Sequence, residues 1–177
     1  GAMKKGKIAT SYLFAGEQGI GKKFTAVNFA KALNCHNPVD NGGFRDSCDR
    51  CASCKKIGSG SHPDFIIIGP SDTGQIKIEE IRRLGDMLSM KAFESGTKVA
   101  IIDDAEAMNQ NAANAFLKTL EEPAAGSLIV LVSSRPDMLP ETVRSRCSRV
   151  NFAPLSPKDC HAVIGKGDPV LLELSMG

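Results

Sequence analysis

The segment Gly16-Glu17-Gln18-Gly19-Ile20-Gly21-Lys22-Lys23 constrains the fold of this chain more than any other. The pattern G-x-x-x-x-G-K-[S/T] works when a strand leads into a glycine turn and a helix begins directly behind it. Backbone N–H groups and the positive end of the helix then face phosphate oxygens. Tyr12-Leu13-Phe14-Ala15 is a short apolar strand candidate ahead of the turn. Behind it Phe24, Val27, Ala30 and Leu33 recur at intervals of three in a segment free of Gly and Pro, which predicts an amphipathic helix. Gly16, Gly19, Gly21 and Lys22 form the predicted phosphate cradle. The last position departs from the pattern. Lys23 stands where serine or threonine holds magnesium, and an ammonium has no lone pair to offer a cation. Hydrolysis should suffer more than phosphate binding; the alternative is a glycine-rich turn with no ligand.

Four of the six cysteines fall at Cys35, Cys48, Cys51 and Cys54. Two successive two-residue gaps and an upstream partner make four thiolates available to one tetrahedral ion, and zinc favours a closed shell of soft sulfur ligands. The reading is a structural zinc site, with no open position for a catalytic water. The alternatives are a disulfide framework and an iron–sulfur cluster, the latter without the closing C-x3-C-P of bacterial ferredoxins. Asn37, Pro38, Asp40, Asn41, Gly42 and Gly43 are turn formers, so the segment is predicted to be a loop inserted after the first helix, without apolar periodicity and ordered by the metal. Cys147 and Cys160 read as ordinary thiols.

Further along, Asp64 to Gly69 predicts a second buried strand, and Ile78, Ile81, Leu84 and Leu88 predict a helix that tolerates Gly85. Val99-Ala100-Ile101-Ile102 ends in Asp103 and Asp104, as when a buried parallel strand delivers acids to its C-terminal edge. Beside a phosphate loop, the first acid holds magnesium and the second orients the attacking water; alone, the pair would read equally well as solvated acids capping a strand. Asn109 is a candidate cap for a helix with Ala112, Ala113, Phe116, Leu117 and Leu120 on one stripe. Leu128 to Val132 predicts another strand, ending near Ser134, a candidate to touch a terminal phosphate or an ordinary strand-end serine. A short helix from Glu141 to Arg146 and a strand at Val150 to Phe152 follow. Continuous hydrophobicity in strands that alternate with helices predicts an α/β fold, a five-stranded and mainly parallel sheet covered on both faces.

At 177 residues the chain suits one domain, and a net charge of +2 with pI near 8.2 does not demand nucleic acid. No apolar run approaches the roughly 20 residues of a membrane span. There is no signal-peptide core, so a cytoplasmic protein without membrane contact is expected. Gly1-Ala2-Met3 reads as a cleavage remnant.

Several segments together carry a resemblance. These are Ser11 to Gly16, the loop to Lys22, Phe29 to Cys35, the CxxCxxC, His62-Pro63-Asp64, Ile101 to Ala105, Ala112 to Pro123 and Ser145-Arg146-Cys147. In combination they resemble the bacterial DNA polymerase III clamp-loader subunits, and among them the delta prime family more than the gamma/tau motors. The resemblance implies an AAA+ core over residues 4–155, with a zinc-binding insert at 35–54 and the truncated start of a helical lid domain at 156–177. It further implies gamma/tau and delta subunits as partners, with the sliding clamp and primer-template DNA reached through the complex. Arg146 would be an arginine finger offered to the ATP of the neighbouring subunit; on its sequence alone it is an arginine on a short helix. Motor subunits carry threonine at position 23 and glutamate at 104, so Lys23 and Asp104 imply that ATP and magnesium bind weakly or not at all and that hydrolysis is lost. The competing expectations are an active gamma/tau-type ATPase and a zinc-dependent DNA-binding module. The second has only Arg45, Arg50, Lys55, Lys56 and Phe44 to offer nucleic acid.

Overall fold

The computed structural model describes residues 9–155 apart from 41 and 95. Asn41 of the insert, the remnant at 1–3, Cys160 and the lid start at 156–177 lie outside the described residues. In chain order the elements are β1 (Ser11–Ala15), α1 (Lys22–Asn34), β2 (Val39–Asp40), β3 (Arg45–Asp46), α2 (Ala52–Gly58), β4 (Phe65–Ile68), α3 (Ile78–Ser89), β5 (Lys98–Ile102), α4 (Gln110–Glu121), β6 (Ser127–Ser133), α5 (Glu141–Arg144) and β7 (Ser148–Asn151).

Five strands form one parallel sheet in the order β4-β5-β6-β1-β7. The predicted α/β sheet is therefore present, and the pleat explains its continuous apolar strands. Leu13, Ala15, Ala100, Ile102, Ile129 and Leu131 face one layer, where Ile81, Leu84 and Leu88 of α3 and Ala112, Phe116 and Leu120 of α4 meet them. Tyr12, Phe14, Val99, Ile101, Leu128 and Val130 face the other, against Ala26 and Ala30 of α1 and Ile57 of α2. Residues alternate between two dry faces, so both must be apolar.

Asn109 caps α4 as expected, its side-chain oxygen accepting the Ala112 N–H at 2.9 Å. Asn109→Ala is expected to cost about 1 kcal/mol, seen as a lower unfolding temperature with an unchanged fold.

Four expectations need correction. Of the stripe Phe24, Val27, Ala30 and Leu33, only Phe24 fails: it is 74% exposed, whereas Ala30 is buried beside Ala26, and Val27 and Leu33 pack half-buried against the same core. Steps of three in a 3.6-residue helix fall behind by about 60° each, so four such positions spread over half the circumference. The small alanines instead let the helix lie close to the sheet. The insert is not an unstructured loop either: β2 and β3 form a two-stranded hairpin and α2 follows, anchored by buried Cys54 and Ile57. The strand at 65–68 lies at the sheet edge, so Phe65 and Ile68 are buried while Ile67 is exposed. The last strand runs Ser148–Asn151 along the opposite edge, and the helix before it ends at Arg144, with Arg146 in the turn beyond.

Candidate functional site

In a parallel sheet every strand ends on the same side. Ala15 of β1 pairs with Ser133 of β6, and Ile102 of β5 pairs with Leu131, so the turn after β1, the acids after β5 and the serines after β6 share one rim. Open α/β sheets bind their ligands at this rim.

The turn after β1 is tight. A Cβ on Gly16 would stand 2.6 Å from the Phe152 carbonyl oxygen and 2.7 Å from Ile20 Cδ1, so no other residue fits there. Gly19 and Gly21 have φ of 84° and 88°, and Gly21 caps α1 from this left-handed conformation. Lys22 is 6% exposed. Its Nζ donates to the Gly16 carbonyl at 2.8 Å and to the Glu17 carbonyl, which curls it over the loop. Glycines, buried lysine and helix start have the arrangement of a phosphate cradle, and these residues fit a nucleotide's phosphates.

The metal side of the cradle is different. Lys23 Nζ lies 2.9 Å from Asp103 Oδ2, so the acid that would hold magnesium already holds an ammonium. Asp104 follows in a left-handed turn at φ 45°. Burial raises its carboxyl pKa above the ordinary range, Asp103 and Glu106 push the same way, and Lys22 and Lys23 oppose them.

Sequence reasoning missed Glu106, whose side chain is 3% exposed. Its Oε1 accepts the Ser134 hydroxyl at 2.7 Å and the N–H groups of Ser134 and Arg135 at 3.1 Å each. Burial raises the Glu106 pKa, but the Ser134 and Ser133 hydroxyls and the backbone donors outweigh it and hold the carboxyl below its usual range. Ser134 thus stands at the rim, with its hydroxyl proton directed to Glu106. A lone acid between two alanines carries no sequence signal for this role.

Arg146 joins none of these contacts. Its Nη1 donates to the Thr142 carbonyl at 2.9 Å and its Nη2 to Glu121 Oε1 at 2.6 Å, with the side chain 37% exposed. Glu121, at the end of α4, is a second partner that sequence reasoning did not single out.

The four cysteines converge: the Sγ atoms of Cys35, Cys48, Cys51 and Cys54 lie within 4.8 Å of one another. A zinc ion with bonds of about 2.3 Å needs sulfurs about 3.8 Å apart, so a small contraction closes the shell. Cys35 ends α1 and Cys51 caps α2, which places the ligands where two packed helices meet. Backbone N–H groups of Cys48, Cys51 and Cys54 point at Cys35, Cys48 and Cys51 Sγ at 3.3, 3.4 and 3.5 Å. Burial raises the Cys51 pKa, but the N–H groups of Cys54 and His36 and neighbouring thiols bring it to about 6. Burial and the adjacent sulfurs push Cys54 up to about 12. Such a donor set suits a cation that neutralises several thiolates at once. On the far side of α2, Lys56 pairs with Glu94, which lies 3.4 Å from His62 Nε2, tying the insert to the core.

A parallel sheet in this strand order, with a glycine loop and paired acids on one rim, has the architecture of a P-loop α/β protein. Two solved structures share the fold. A DNA polymerase III gamma subunit-related protein of Thermotoga maritima superposes with a TM-score of 0.65 at 23% identity, over 97% of this chain and 50% of that one. The Thermotoga maritima RuvB Holliday junction branch migration motor gives 0.56 at 15%, over 92% and 44%. A family model described as DNA polymerase III, delta subunit, matches residues 1–156. The delta prime subunits of Bacillus subtilis and Pseudomonas aeruginosa are each 38% identical to this chain, over 89% and 78% of it and 46% and 42% of their own lengths. The Bacillus subtilis tau subunit is 36% identical over 96% of this chain and 29% of its own. The chain belongs to the delta prime family of DNA polymerase III clamp-loader subunits, and it spans less than half the length of these relatives. Among the described residues no helix is long and apolar enough to cross a membrane.

Proposed function

We propose that the protein is a non-hydrolysing subunit of a cytoplasmic clamp loader. In this reading it supports loading of the sliding clamp onto primer-template DNA and serves the ATP site of a neighbouring gamma/tau subunit through Arg146, with delta as a further partner. The observation that carries the reading is the ion pair of Lys23 and Asp103. It puts an ammonium at one of the two positions from which a magnesium-dependent site draws its ligands and engages the carboxylate at the other, and the loss of a metal site falls on hydrolysis rather than on assembly. Asp104 is one methylene shorter than the glutamate of motor subunits, and Ser134 is directed to Glu106. Arg146, held through one N–H of Nη1 on the Thr142 carbonyl and one of Nη2 on Glu121, has further N–H donors on a partly exposed guanidinium, as a group acting on another subunit's phosphate requires. Zinc at Cys35, Cys48, Cys51 and Cys54 has a structural role, ordering the insert.

The second reading, an active gamma/tau-type ATPase, draws support from the intact glycines and Lys22 and from similarity to a tau subunit. It leaves Lys23 unexplained. Reconstituted loading separates a functional subunit from a bystander. Omitting this protein from a mixture of gamma/tau, delta, clamp and primed DNA is expected to abolish ATP-dependent clamp loading. Undiminished loading in its absence contradicts the proposal.

A further inference from the structure

Lys23 does more than delete a magnesium ligand. Its ammonium places a positive charge against Asp103, and it uses one of its three donors there, leaving two. The side chain is 54% exposed, so those donors are open to a ligand. Lys22 lies beside it in sequence, its ammonium fixed over the loop by two carbonyl oxygens. Two lysines and the N–H groups of a glycine turn therefore converge on the place where phosphates would lie.

A magnesium ion has little to gain here. It demands six oxygens in near-ideal geometry and gives up its waters reluctantly. Position 23 offers it no oxygen, and Asp103 would first have to release an ammonium that then stays beside the ion as a like charge. A triphosphate without metal carries more negative charge than its magnesium complex, and that charge is what two ammonium groups and a helix start attract.

We infer that this loop takes a nucleoside triphosphate without magnesium, with Lys23, held by Asp103, in the place of the ion. Glu106 completes the arrangement. By holding the Ser134 hydroxyl and two backbone N–H groups, it keeps the donors of the β6 rim turned away from a terminal phosphate, which favours retention over turnover. The inference rests on the reading of the loop as a nucleotide cradle and does not depend on Arg146.

Calorimetric titration of ATP into the protein, in excess EDTA and in excess magnesium chloride, tests it. The wild-type protein is expected to bind ATP more tightly in EDTA than in magnesium, where the ion screens the charge that the two ammonium groups attract. Lys23→Thr, at a half-exposed position that should leave the unfolding temperature unchanged, is expected to bind about tenfold or more weakly in EDTA and to recover with magnesium, as loss of a charge-assisted contact and gain of a hydroxyl ligand require. Lys22→Ala should lose binding in both media. Wild-type binding that requires magnesium, a Lys23→Thr variant indistinguishable from wild type, or no binding in either medium overturns the inference. The last result leaves the role of Arg146 standing, because that role is read from turnover at another subunit's site.

Discussion

Arg146→Ala is expected to slow ATP hydrolysis at the neighbouring subunit's site of the assembled clamp loader about a thousandfold, the lower end of what an arginine finger supplied in trans contributes. A fixed guanidinium stabilises charge that spreads over the phosphate oxygens in the transition state, and its effect depends on being held in position before the reaction. Arg146 meets that condition. It stands just beyond α5, with one arm of the fork on the Thr142 carbonyl and the other on Glu121 at the end of α4. Glu121, like Arg146, lies in a segment that carries the family resemblance. Lysine should not restore the rate, because a point charge on a flexible stem cannot keep both anchoring bonds and still reach a phosphate. Single-turnover hydrolysis by the reconstituted assembly checks this, and an Arg146→Ala assembly that retains full turnover removes the finger from the account.

The other large effect is expected at the four cysteines. Replacing Cys51 and Cys54 together by serine, or stripping the metal with a chelator, should disorder the insert while leaving the sheet folded. Structural zinc contributes apparent binding free energies of about 10–16 kcal/mol in small peptides at neutral pH, far above what the hairpin and the short helix α2 bring by themselves. Hydrogen exchange is the appropriate measurement. Amide protection across Cys48, Cys51, Cys54 and Lys55 should collapse, whereas β1, β5 and β6, buried along their whole length, should stay protected. Acid should act in the same direction. Metal binding requires thiolates, and with Cys54 pushed up to about 12 in the metal-free site, protons compete for the sulfurs more strongly as pH falls. Metal affinity therefore decreases on acidification. Protection that is unchanged after zinc is removed would show that packing of Ile57 and Cys54 against the core suffices to order the insert.

Much of this was legible in the sequence because the signals are strong and local. A strand buried on both faces has to be apolar at every residue, so Tyr12 to Ala15, Val99 to Ile102 and Leu128 to Val132 announce a covered parallel sheet. Gly16 to Lys22 announces the turn that joins β1 to α1. The spacing of the four cysteines announces that their sulfurs converge. The errors have equally local causes. Alanine is a weak marker of burial, so Ala26 carries no signal, while Phe24 in the first turn of α1 reads as inward and is exposed. The helix α2 is only two turns long, too short for a periodic pattern to emerge, and Cys51 and Cys54 at its start read as metal ligands in a loop. Edge position is a property of strand order, which no single strand encodes, so Ile67 looked buried. Glu106 and Glu121 escaped notice because their roles arise from partners 28 and 25 residues away, Ser134 and Arg146, brought close only by the fold.

The measurement that bears most directly on the account compares Lys22→Ala with Arg146→Ala in single-turnover ATP hydrolysis by the full assembly with clamp and primed DNA. Loss of turnover with Arg146→Ala, and turnover close to wild type with Lys22→Ala, is the predicted result: the protein completes a neighbour's active site and hydrolyses nothing in its own loop. Equal loss with both, or loss with Lys22→Ala alone, contradicts it and makes the chain's own phosphate cradle a working ATPase site.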